Sequence, residues 1–126
     1  MLYLDTSATA KLLQEEAESR ALGLYLRSAA APLVTSRVGI VELRRVGRRV
    51  GAADRADALA ATLVVVELDE IVEREALGVD TRLRTSDAIH LATAILMGDE
   101  LTAFVCYDAR LATAAAASRL SVVAPS

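Results

Sequence analysis

Two hydrophobic rhythms alternate along the chain. Short apolar runs at Leu2–Leu4, Leu33–Thr35, Leu63–Leu68, Leu101–Cys106 and Ser121–Ala124 are too brief for helices and read as strands buried on both faces. Between them, apolar residues recur with helical spacing or composition. The predicted helices are Ala8–Gln14, Ala17–Ala30, Arg37–Val50, Ala52–Thr62, a segment from Asp69 or Glu70 to Gly78, Ser86–Met97 and Ala109–Ser118. The punctuation agrees with these boundaries. Thr6-Ser7 can cap the first helix, Pro32 breaks the second, and Ser36 caps the third, which Gly51 closes; Thr85 caps the sixth, with Gly98 as its stop. Apolar strands separated by helices predict an α/β fold, a five-stranded parallel sheet in a three-layer α/β/α arrangement.

Length and composition narrow the class. The 126 residues suit a single domain, 1–126, with one ordinary core, and 54% apolar content fits a helix-rich globule. The net charge of -3 argues against bulk electrostatic coating of nucleic acid, although nearly all the cations are arginine and leave room for a local basic patch. The single cysteine, Cys106, falls in an apolar run and reads as buried, so no disulfide framework is expected. Without a charged leader or an apolar run of membrane-spanning length, the expected location is the cytoplasm, with no membrane association.

The chemistry rests on four acids. Asp5 ends the first strand and Asp108 follows the fourth, and in an open parallel sheet functional groups gather outside the carboxyl ends of the strands. Asp87 lies in the first turn of a helix that is apolar almost all round, which places its carboxylate near the interior at a cost. Glu42 borders the apolar arc of its helix, Gly39, Ile40, Leu43, Val46 and Val50. Each has a plain structural reading: Asp5 and Asp108 as helix N-caps, Asp87 as a partner of its helix dipole, Glu42 as a surface pair of Arg45 or Arg49. Convergence changes that reading. Two carboxylates about 5 Å apart repel by roughly 3 kcal/mol at an effective dielectric near 20. A hard divalent cation would relieve this, and all-oxygen donors select Mg²⁺ or Mn²⁺, whereas one histidine and one cysteine disfavour zinc.

Four segments carry a family resemblance: Leu-Tyr-Leu-Asp-Thr-Ser-Ala at the start, Val-Glu-Leu-Arg-Arg in the centre, Leu-Arg-Thr-Ser-Asp-Ala-Ile-His-Leu-Ala-Thr-Ala around Asp87, and Tyr-Asp-Ala-Arg-Leu-Ala late. In this order they resemble the motifs of PIN-domain ribonucleases, most closely the VapC-type toxins of toxin–antitoxin pairs, over Tyr3 to Pro125. The resemblance implies a PIN-like five-stranded parallel sheet and a Mg²⁺-dependent endoribonuclease, with Asp5, Glu42, Asp87 and Asp108 as catalytic, metal-binding acids. Thr6 and Ser7 match the family's hydroxyl positions and are expected at the substrate; Ser36 is a weaker match. The implied partners are RNA, a small VapB-like antitoxin and a second copy of the chain.

Around the acids, Arg45 and Arg49 share Glu42's side of its helix and could hold RNA phosphates, or form a solvated face. His90, one turn after Asp87, could serve as a general acid; its apolar helix favours a hydrogen bond to a carboxylate or backbone group instead. Two other function classes remain as alternatives. One is a non-catalytic PIN-like module that binds RNA or a partner. The other is a phosphorelay receiver, with Asp69 as acceptor, but the lone lysine, Lys11, cannot supply the late lysine it needs. An Asp-x-Asp phosphatase fails at Ser7, and no Gly-rich loop with a lysine supports an NTPase.

Overall fold

The computed structural model describes all 126 residues. Five strands, β1 (Leu2–Leu4), β2 (Leu33–Ser36), β3 (Val64–Val66), β4 (Ala103–Val105) and β5 (Val122–Val123), are joined by helices α1 (Thr6–Leu13), α2 (Ser19–Ala29), α3 (Arg37–Arg49), α4 (Ala53–Thr62), α5 (Glu70–Gly78), α6 (Thr85–Met97) and α7 (Ala109–Ala117). A 3-10 turn, Gly98–Glu100, follows α6. The strands form one parallel sheet in the order β3-β2-β1-β4-β5. A phosphorelay receiver has the order 2-1-3-4-5, so that alternative is excluded.

The alternation of β1 divides the core. Leu2 and Leu4 face a cluster with Leu13, Leu22, Ile40, Leu43 and Ala56, from α1 to α4. Tyr3, between them, points to the other face and joins Leu91, Ala94, Phe104, Leu111 and Ala115, from α6, β4 and α7. The sheet is therefore covered on both sides. Its strands are shorter than their apolar runs because pairing sets their length. The run Leu63–Leu68 pairs only from Val64 to Val66, since β2 ends at Ser36, where α3 begins. Val64 is half exposed on this edge.

Several caps differ from expectation. Of the two readings for the start of α1, Asp5 is the cap, accepting from the Ala8 amide, and Thr6 and Ser7 are not. Thr85 already lies inside α6, and Arg84 holds the cap position without a side-chain capping bond to the backbone. The second helix begins at Ser19 rather than Ala17 and ends on Ala30 in the left-handed region. Ser36 caps α3 through the Gly39 amide as expected. Gly51, at φ 72°, takes the chain out of that helix in a conformation suited to glycine.

Candidate active site

The sheet order reverses direction at β1. The chain steps outward from β1 to β2 and β3, then returns to the opposite side for β4 and β5. The crevice of an open α/β sheet lies at such a reversal, beyond the carboxyl ends of the strands. A cavity of about 480 Å³ opens there, and Asp5, Glu42, Asp87 and Asp108 all line it, with Thr6, Ser7, Gln14, Arg45, Arg49 and Arg84. A larger cleft of about 770 Å³ beside α5 and α6 is lined by Leu68, Leu77, Val79, Leu83 and Ile89 and holds none of the four acids.

Each acid is fixed by its own element. Asp5 leaves the end of β1 and is almost wholly buried. Its Oδ1 accepts from Ser7 Oγ at 2.6 Å and from the Ala8 amide at 3.0 Å, while Cys106 Sγ donates to Oδ2 at 3.2 Å. Burial pushes the Asp5 carboxyl above the usual range despite these three donors. Asp108 follows β4 and caps α7 through the Leu111 amide at 2.9 Å. Asp87, in the first turn of α6, faces Arg84 Nε at 3.2 Å.

Glu42 is held by partners other than the arginines of its plain structural reading. Its Oε1 accepts from Thr6 Oγ1 at 2.7 Å and from His90 Nε2 at 2.8 Å. On the far side of that imidazole, Nδ1 lies 2.7 Å from the Tyr3 hydroxyl. Burial raises the Tyr3 pKa, so the phenol keeps its proton and donates to Nδ1. In the neutral imidazole this arrangement puts the ring proton on Nε2, which then donates to Glu42. Partial burial would push the Glu42 carboxyl up, but the bonds from His90 and Thr6 prevail and hold it below the usual range. Gly39 makes this packing possible: a Cβ there would overlap Thr35 Oγ1 and stand 3.0 Å from His90 Cε1.

The expected residues therefore meet in one cavity, with two differences of role. The hydroxyls of Thr6 and Ser7, expected at the substrate, are turned onto acids: Thr6 holds Glu42, and Ser7 donates to Asp5 while accepting from the Tyr107 amide at 2.8 Å. The acids also do not form a ready-made ligand cluster: no three of the His, Cys, Asp and Glu side chains are grouped closely enough to hold a metal ion as they stand. The reason is local, since each carboxylate is drawn to a separate donor. Their chemistry still fits a hard cation. Four carboxylates face the cavity, the Cys106 thiol is kept protonated by burial and by the Asp5 charge, and both His90 nitrogens are engaged. Sequence reasoning missed Tyr3, Cys106 and Arg84. The Leu-Arg-Thr-Ser-Asp spacing, an arginine three residues before Asp87, was the available signal for the last.

Comparison with known proteins agrees with this fold. The PIN-domain family profile matches residues 2–117. The chain is 41% identical to "Ribonuclease VapC35" of Mycobacterium tuberculosis (strain ATCC 25618 / H37Rv), over 99% of this chain and 97% of that protein. It is 44% identical to "Ribonuclease VapC47" of Mycobacterium tuberculosis (strain CDC 1551 / Oshkosh), over 88% and 87% of the two chains. Among solved structures, one described as a toxin-antitoxin complex from Klebsiella pneumoniae superposes with a TM-score of 0.80 at 18% identity, covering 100% of this chain and 98% of that one.

Proposed function

Because the chain belongs to the PIN-domain family, we propose that it is a metal-dependent endoribonuclease, with Mg²⁺ as its ion and Mn²⁺ able to substitute. The observation that carries this reading is the arrival of four carboxylates, from β1, α3, α6 and the end of β4, in one cavity at the reversal of the sheet. Asp5, Glu42, Asp87 and Asp108 are the residues that would hold the ion. A hard divalent cation there supplies Lewis acidity at a phosphoryl oxygen and lowers the pKa of water, so a histidine base is not needed.

The chain's own residues do the positioning. Ser7 and Cys106 hold opposite oxygens of Asp5, which keeps that buried carboxylate aimed into the cavity. Tyr3 and His90 orient Glu42 from beneath. Arg45 and Arg49, exposed on α3 at the cavity rim, are placed to take RNA phosphates and fix the strand across the acids. The same reading makes the chain the toxin of a toxin–antitoxin pair, acting in the cytoplasm, neutralised by a VapB-like antitoxin and assembling as a homodimer. No helix is long and apolar enough to cross a membrane.

The test is RNA cleavage by the purified chain. EDTA should abolish it and Mg²⁺ or Mn²⁺ should restore it. Activity that survives chelation and disappears in His90→Ala would point to a metal-free acid–base nuclease. Binding of RNA without cleavage under any divalent ion would favour the non-catalytic module.

A further inference from the structure

Two cavities share one wall. Beside the acid cavity lies a second, of about 300 Å³, lined by Arg82, Leu83, Arg84, Asp87, Asp108 and Arg110. Arg84, Asp87 and Asp108 line both cavities. Arg45 and Arg49 line only the first, and Arg82 and Arg110 only the second. Arginines thus border the acids on two sides: α3 supplies one pair, and the loop before α6 together with α7 supplies the other.

The donors of the second group are available. Arg110, in the first turn of α7, makes no ion pair or side-chain hydrogen bond, and it is exposed. Arg82 is steered by Asp80 through Nε at 3.0 Å and Nη2 at 2.9 Å, which leaves Nη1 free. Arg84 uses only Nε on Asp87, which leaves both terminal nitrogens free. A guanidinium held on one edge and open on the other is suited to a phosphate oxygen. Two such groups and the unpaired Arg110, around a small cavity that also holds two carboxylates, would not attract a free anion strongly. They suit a polyanion already drawn across the neighbouring acids.

We propose that Arg82, Arg84 and Arg110 form a second RNA-phosphate subsite, on the opposite side of the acids from Arg45 and Arg49. The inference rests on the ribonuclease reading above and adds the path of the strand. RNA crosses the acid cavity with one neighbouring phosphate on the α3 arginines and another on the Arg82–Arg110 side. The bond over the acids is thereby held from both flanks, and a substrate with a phosphate on only one side binds weakly.

The experiment maps phosphate contacts one at a time. Short single-stranded RNAs carry a single neutral methylphosphonate, moved stepwise along the strand, and binding to an Asp5→Asn chain in Mg²⁺ is followed by fluorescence anisotropy. Two windows of sensitivity are expected, each weakening binding by about tenfold, the low end for a charge-assisted hydrogen bond. Adding Arg82→Ala and Arg110→Ala should erase one window and leave the other. Adding Arg45→Ala and Arg49→Ala should do the reverse. A single window in the starting chain would overturn the proposal. So would two windows that both survive Arg82→Ala with Arg110→Ala under a uniform loss of affinity, since that is the signature of general charge. Cleavage of the unmodified RNA by the unsubstituted chain is scored separately; its absence would sink the ribonuclease reading while the two-window binding map still stands or falls by itself.

Discussion

His90 on α6 and Glu42 on α3 share a hydrogen bond of 2.8 Å between Nε2 and Oε1, and the imidazole is closed off from solvent on its other side. The Tyr3 hydroxyl takes up Nδ1 at 2.7 Å, while the Tyr3 ring stacks on Phe104 at 5.2 Å. The histidine thus acts as a strut between the sheet and a site carboxylate. Its position is not that of a free general acid, because neither ring nitrogen is open to a substrate.

Removing the end of that strut should reveal its role. Tyr3→Phe keeps the ring stack and leaves His90 Nδ1 buried without a donor, a loss of about 1–3 kcal/mol in a denaturant melt. Glu42 would then be less firmly oriented, so kcat should fall severalfold with KM little changed. An equally stable Tyr3→Phe chain with unchanged kcat would show that the strut carries nothing.

Gly39 should reverse the usual sign of a helix substitution. In an exposed helix interior, glycine to alanine gains roughly 0.5–1 kcal/mol. Here the added Cβ meets Thr35 Oγ1 and His90 Cε1, and Thr35 is itself committed to the Leu4 carbonyl at 2.8 Å. Gly39→Ala should therefore lose about 1–3 kcal/mol, the range for overpacking. Thermal melts of the two chains decide it; a gain in stability would mean that α3 can move away from α6 without cost.

Asp5 should make stability depend on pH. Burial raises its folded pKa above the unfolded value, so the folded chain binds the extra proton. Stability from this group is complete below the unfolded pKa, about 3.9, and is lost as pH rises through the folded value. Asp5→Asn has no such proton to lose. Without added metal it should be more stable than the parent near neutrality, by roughly 1–2 kcal/mol for relieving a buried charge while the remaining side-chain oxygen keeps its Ser7 and Ala8 donors. The difference should shrink as pH falls through the folded pKa. In Mg²⁺ at 100 times its dissociation constant the parent should gain about 2.7 kcal/mol, and Asp5→Asn much less. A variant whose advantage over the parent is no larger at pH 7 than at pH 4, and which metal stabilises as strongly as the parent, would remove Asp5 from the site.

The acids were legible in the sequence because each sits at a local signal: a strand giving way to a helix at Asp5 and Asp108, a first helical turn at Asp87, the edge of an apolar arc at Glu42. Their partners were not, because those depend on register between distant segments. Cys106 reaches Asp5 only because β4 lies beside β1 with Leu4 opposite Val105. His90 reaches Glu42 only because α6 packs against α3 where Gly39 admits the imidazole. Thr6 and Ser7 follow the same logic: the sequence marks their hydroxyls, but the packing turns them onto carboxylates. The ends of the strands were also hidden, since an apolar run does not show where its neighbour stops pairing.

The central position of β1 imposes an order in time. Its β2 neighbour arrives about thirty residues later, but its β4 neighbour only after residue 100, with Cys106 and Asp108 behind it. While the chain is being synthesised, β1 can satisfy one edge early and must leave the other open, a strand edge that invites wrong pairing. Contacts so far apart in sequence also slow folding. Asp5 cannot acquire its Cys106 partner, or share a cavity with Asp108, until that gap closes. A chain proposed to cut RNA is thus without its complete set of acids until β4 and Asp108 have left the ribosome, itself largely RNA.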